Sequence, residues 1–193
     1  MSRFRSAVVL VVLLFLPALP LAQPATAEWI TLLDGTTLQG WNQVGTANWS
    51  VVDGVVQATT GPGFLVTPRG YANFELKAEV WVSNDANSGI FFRGSDAKTI
   101  TPATGYEVNL FDQRPDPKYR TGAIVDVAEP AIAVNAGGHW TTVEILANGP
   151  HLAVALNGTK TVDVMHDLRT SGVIALQSTT GIVKFRSVRI RLL

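Results

Sequence analysis

A chain of 193 residues, 47% hydrophobic and 16% charged, has the balance of a single domain able to bury a core of its own. Its 15 basic and 15 acidic residues include no run of lysine or arginine, so it lacks the concentrated positive charge that a nucleic acid requires of its partner. It has no cysteine, which excludes disulfides and makes a structural zinc or cysteine-linked lipid anchoring unexpected.

The first 27 residues, MSRFRSAVVLVVLLFLPALPLAQPATA, pass from Arg3 and Arg5 through an apolar block at 7–16 to Pro17, Pro20 and a small-x-small end at Ala25-Thr26-Ala27. That order predicts a secretory signal peptide, since the apolar run is too short to span a bilayer. Cleavage is expected after Ala27, with Ala22 as the alternative, leaving one domain at 28–193 that is periplasmic or extracellular in a bacterium. Loss of Arg3 and Arg5 leaves 13 basic against 15 acidic residues, a net charge of about −2 by this counting.

From Trp29 onward, short β-branched and aromatic runs alternate with glycine, proline and asparagine, and no stretch keeps a 3.6-residue period. The pattern predicts strands at 49–56, 63–66, 74–82, 89–93, 106–111, 122–127, 140–147, 151–156, 160–164, 172–177 and 183–192. So many strands in one domain imply two packed sheets or a barrel. Asp53-Gly54, Asn148-Gly149 and Asn157-Gly158 supply the positive φ angles of tight hairpins. Longer loops are expected at 95–104 and 113–120.

Two strands carry more polarity than a core needs. In NSGIFFRG, 87–94, the period of two sets Gly89, Phe91 and Arg93 on one face, with Ile90 and Phe92 on the other; Asn87-Ser88-Gly89 reads by itself as a turn. In GYEVNLFD, 105–112, Glu107, Asn109 and Phe111 share a face opposite Tyr106, Val108 and Leu110. If these strands are neighbours, Arg93 can lie beside Glu107 and Asn109, and Gln177 at the end of GVIALQS can join them. Carboxylate, amide and guanidinium groups suit sugars, whose hydroxyls donate and accept together. The plain alternative is a solvent-facing ion pair across two strands.

Other chemistries have less support. Trp41, Trp49 and Trp140 read as core fillers, and Trp81, alternating with Glu75, Lys77 and Glu79, as a more exposed ring. The three histidines show no metal spacing, and no G-x-S-x-G elbow is present. Asp112, Asp116 and Asp126 are the residues to consider for a hard divalent cation.

The ordered set LLDGTTLQGW, WSVVDGVV, FELKAEV, NSGIFFRG, GYEVNLFD, TGAIVDV, GGHWTTVEI, LNG, IALQ and VKFRSVRIRLL resembles the 3-keto-disaccharide hydrolase family, also described as 3-keto-glucoside 1,2-lyases and 3-keto-2-hydroxy-glucal hydratases. The resemblance implies an all-β, concanavalin A-like jelly roll of two antiparallel sheets, close in shape to laminarinases, with its site on the concave face. The laminarinase motif E-x-D-x-x-E is missing. The activity implied is cleavage of a 3-keto-glycoside by elimination, hydration or both, with a separate sugar 3-oxidoreductase supplying the keto group. Carried onto this chain, the resemblance implies Glu107 as base and Arg93 as oxyanion stabiliser. Asn87, Phe91, Asn109, Asp112 and Gln177 would be substrate contacts, with a divalent cation left open as cofactor. The chain departs from the family pattern at Asn109, at TGAIVDV and at Gln177-Ser178-Thr179-Thr180, where Asp-His-Gly is common. A non-catalytic carbohydrate-binding module of the same shape, or an exported adhesion domain, are the readings from other classes.

Overall fold

The computed structural model describes residues 27–193; the predicted signal peptide lies outside the described residues but for Ala27. The strands, in chain order, are β1 (Ile30–Leu33), β2 (Asn42–Gly45), β3 (Ser50–Val52), β4 (Val55–Ala58), β5 (Gly63–Val66), β6 (Phe74–Val82) and β7 (Asn87–Gly94). They continue as β8 (Tyr106–Leu110), β9 (Trp140–Asn148), β10 (His151–Leu156), β11 (Thr159–Met165), β12 (Val173–Thr180) and β13 (Val183–Leu192). Among the described residues the helical content is one 3-10 turn, Pro117–Tyr119, and no helix is long and apolar enough to cross a membrane.

Alternation makes the strands. In FELKAEVWV every second side chain, from Phe74 to Val82, is buried, while Glu75, Lys77, Glu79 and Trp81 face outward. WTTVEILAN repeats the pattern in β9. Pairing gives one sheet in the order β11-β10-β9-β6-β13-β4-β3, with β1 also on β13, and a second in the order β2-β5-β12-β7-β8; all strand pairs are antiparallel. The sheets pack face to face, Leu76, Ile145 and Phe185 from the larger meeting Ile90, Tyr106 and Leu176 from the smaller. This is the expected jelly-roll sandwich.

Local differences from the sequence pattern have physical causes. The run 49–56 is two strands, because Asp53 and Gly54 take φ of 52° and 76° and reverse the chain. The segment 122–127 is not a strand: Gly122 and Asp126 stand at φ of 88° and 60°, which breaks its extension. It still lies along β8, since Asn109 N donates to Ala123 O and Val125 N to Glu107 O. Asn87-Ser88-Gly89 opens β7 instead of turning. Trp41 and Trp49 are buried as expected, but Trp140 pairs with Trp81 on the outer face, where Arg186 and Lys184 lie over the two rings.

Candidate functional site

The face of the smaller sheet turned away from the core carries the polar residues. In register, Gly89 stands between Gln177 on β12 and Asn109 on β8, and one step along, Phe91 stands between Ala175 and Glu107. Val66, Phe91, Ala175 and Ile100 form an apolar cluster on this face, separate from the main core. The Phe64 ring meets that of Phe91 edge-on, with centroids 5.6 Å apart. The face is thus half apolar and half polar.

Glu107 is the centre of the polar half. It is 7% exposed, and among the described residues its carboxylate has no hydrogen-bond or ion-pair partner. Burial pushes its pKa up to about 7; Arg114 pulls the other way and Asp126 adds to the rise. It fits because Gly89 has no side chain, since a Cβ there would lie 3.0 Å from Glu107 Oε1 and 3.2 Å from its Cγ. Asn109, 2% exposed, donates from Nδ2 to Tyr119 O, and its Oδ1 is left buried with no partner. Gln177 Oε1, across Gly89, is also buried and unpartnered. Buried acceptors are rarely left empty, and two that flank a buried carboxylate mark where donors from a ligand belong.

Arg93 is not part of this group, which corrects the expectation from alternation. Between Phe91 and Gly94, β7 carries two residues opposite one on β12, and Arg93 takes φ of 51°. The bulge turns the side chain to the end of the sandwich, where it is fully buried. There Nε donates to Ala72 O at 2.9 Å, Nη1 to Gly149 O at 2.8 Å and Arg169 O at 3.0 Å, and Nη2 to Asn73 Oδ1 at 3.2 Å. Every donor group is occupied by structure.

Asp112 is also committed. Its carboxylate accepts from Thr121 Oγ1 and from the backbone N–H groups of Ala136 and Gly137, so it fastens one loop to another instead of meeting a ligand. Asp116 caps the 3-10 turn through Lys118 N. The three aspartates considered for a hard cation are therefore not assembled, and among the described residues no group of three His, Asp or Glu side chains is placed to hold a metal. Asn87 stays at the rim of the face, half-buried, two residues before Gly89.

Three neighbours escape a reading of alternation alone. Phe64 could have been found from GFLV, whose period sets Phe64 and Val66 together. Arg114 and Tyr119 could not, because they belong to a loop whose return over β8 depends on Asn109 and Asp112.

The model of the 3-keto-alpha-glucoside-1,2-lyase-like domain matches residues 28–191. The 3-keto-disaccharide hydrolase of Bacteroides thetaiotaomicron is 29% identical over 157 residues, covering 64% of this chain and 54% of that protein, so the chain spans about half its length. A solved Parabacteroides distasonis protein described as a glycosyl hydrolase superposes with a TM-score of 0.73 at 27% identity, covering 86% of this chain and 100% of that one. The carbohydrate-binding module CBM66 of Bacillus subtilis shares the fold, with a TM-score of 0.61 at 14% identity over 86% of this chain and 97% of its own. With the match running through nearly all the described residues, the chain belongs to the 3-keto-alpha-glucoside-1,2-lyase-like domain family.

Proposed function

We propose that the protein breaks the glycosidic bond of a 3-keto-glycoside by elimination across C1 and C2, with Glu107 as the base. The observation that carries this is a buried, unpartnered carboxylate with a pKa near neutrality, set over Gly89 between two unpartnered amide oxygens. Family membership and the name of the Bacteroides relative support the same substrate class.

A keto group at C3 acidifies the C2 proton. Glu107 takes that proton, the C–H pair becomes a C2–C3 double bond, and the carbonyl pair moves onto the C3 oxygen. When the oxyanion returns to a carbonyl, the pair shifts between C2 and C1 and the C1–O bond breaks. The leaving oxygen is protonated by the carboxylic acid of Glu107 or by water, giving an alcohol and a 3-keto-2-hydroxy-glucal; addition of water to the glucal completes a net hydrolysis. One base suffices to begin, so the chain has no need of the two carboxyl groups about 5 to 5.5 Å apart that retaining glycosidases use. Asn109 Oδ1 and Gln177 Oε1 accept from sugar hydroxyls, and the half-buried Phe64, packed on the buried Phe91, takes the C–H face of the ring.

The test is release of the aglycone from a chromogenic 3-keto-glucoside by the purified protein, with and without added divalent cation. The expected kcat/KM rises with pH through about 7, as Glu107 becomes the carboxylate, and the parent glucoside without the keto group is inert. Binding of sugar without turnover would establish the carbohydrate-binding module instead. The N-terminal pattern supports export, for which the purified secreted protein should begin at Glu28. The keto group would come from a separate oxidoreductase, since the chain carries no dinucleotide fingerprint.

A further inference from the structure

We infer that Arg114 is the catalytic cation of the Glu107 site, placed to receive the negative charge that develops on the C3 oxygen. The inference rests on the elimination reading above and goes beyond it by assigning the oxyanion a partner in the loop after β8.

The loop brings Arg114 back toward the strand that carries the base. Glu107, Asn109 and Phe111 follow one another at the period of β8; the chain then turns, with Arg114 N donating to Phe111 O at 3.3 Å. It returns through the 3-10 turn to Tyr119, whose carbonyl accepts from Asn109 Nδ2, the side chain next to Glu107 on that face. Arg120 Nε donates to Arg114 O at 2.9 Å and Gln113 Nε2 to Asn84 O at 2.9 Å, so the loop is held on both sides of Arg114. The guanidinium lies 5.9 Å from the Phe111 ring centroid and 5.7 Å from that of Tyr119. Both distances are within cation–π range, so the two rings anchor the guanidinium without using its N–H donors.

Its donors are uncommitted. Among the described residues the Arg114 guanidinium makes no hydrogen bond and no ion pair, whereas all the donor groups of Arg93 are occupied. Arg114 is also the cation that acts on Glu107, drawing its pKa down against burial and Asp126. Arg114 lies against Phe111 and Tyr119, and the Tyr119 carbonyl holds Asn109 next to Glu107 on β8, so the cation belongs to the side of the face where an enolate would form; a pre-placed cation needs no rearrangement during the reaction.

The test compares wild type, Arg114→Gln, Arg114→Lys and Arg114→Ala on the chromogenic 3-keto-glucoside. Arg114→Gln should lower kcat about 10²- to 10³-fold with little change in KM, and Arg114→Lys about 10-fold, because a point charge cannot reproduce the fork. The acidic limb of kcat/KM should move to higher pH in Arg114→Gln, since the charge that lowers the Glu107 pKa is gone. Added guanidinium ion should restore part of the rate to Arg114→Ala, a rescue that a purely structural role would not allow. Variants that melt like the wild type and keep kcat within about 3-fold, with an unmoved limb, overturn the assignment. If Arg114→Gln does not fold, an unchanged kcat in Arg114→Lys has the same force. A wild type with no turnover overturns the elimination reading and this inference together; an active wild type with unaffected variants overturns this inference alone.

Discussion

Replacing Glu107 by glutamine should lower kcat by about 10³-fold while leaving the fold intact, and should make the protein more resistant to unfolding above neutral pH. Glutamine keeps the shape over Gly89 but cannot take a proton from carbon. The stability arm follows from the direction of the pKa shift. Glu107 rises from an ordinary 4.5 to about 7, so the folded state holds its proton more tightly than the unfolded chain does. The stabilising contribution is complete below about pH 4.5 and is lost as pH climbs through 7, when a bare carboxylate must be kept out of water. At most about 3 kcal/mol is involved, and glutamine has no such dependence. Urea melts at pH 5 and pH 8 should show the variant gaining on the wild type at the higher pH. Turnover at the wild-type rate would remove Glu107 from the chemistry, and a stability difference independent of pH would mean that its carboxylate is hydrated.

The second large effect is on folding. Arg93→Met should destabilise the protein by about 3 kcal/mol or more, among the larger losses a single substitution causes. Methionine retains the stem but leaves Ala72 O, Gly149 O and Arg169 O without the donors that now serve them, in a place without exposure. Asn73 Oδ1 keeps one donor, Gly149 N. Arg93→Lys should recover only part of the loss, because three donors from one nitrogen cannot reach carbonyls fixed around a planar fork. Thermal and urea melts measure both. A methionine variant as stable as the wild type would mean that the carbonyls find water, and that the arginine is dispensable to the sandwich end.

Arg93 and Glu107 also show how far the sequence could be read. Strict alternation identified both strands and put Glu107, Asn109 and Gln177 on one face, because the alternate apolar set of each strand belongs to the main core and a slip by one residue would turn that set away from it. The same rule misplaced Arg93, since a bulge inserts a residue and inverts the alternation after it. Nothing in NSGIFFRG marks the bulge. Its origin is tertiary: Gly172 approaches so closely that a Cβ there would lie 2.5 Å from the Arg93 carbonyl carbon and 2.2 Å from Gly94 O. Asp112 was misread for a related reason, as the backbone donors that fill its carboxylate come from 24 and 25 residues downstream. Short edge strands were missed as well. NQVG in β2 has one apolar side chain and pairs on one side only, with β5.

The strand order carries a consequence for how the molecule comes into being. β12 is the middle strand of the smaller sheet, and β13 joins β6 to β4 within the larger one, although both follow every other strand of the two sheets in sequence. A ribosome that has delivered everything up to Gly172 has made the strands on either side of a gap in each sheet, β5 and β7 in the smaller and β4 and β6 in the larger, but not the strand that fills it. The emerging polypeptide therefore completes neither sheet before residues 173–192 leave the ribosome, and the two parts of each sheet are joined only by that segment. The Gln177 amide reaches the neighbourhood of Glu107 only when β12 pairs with β7.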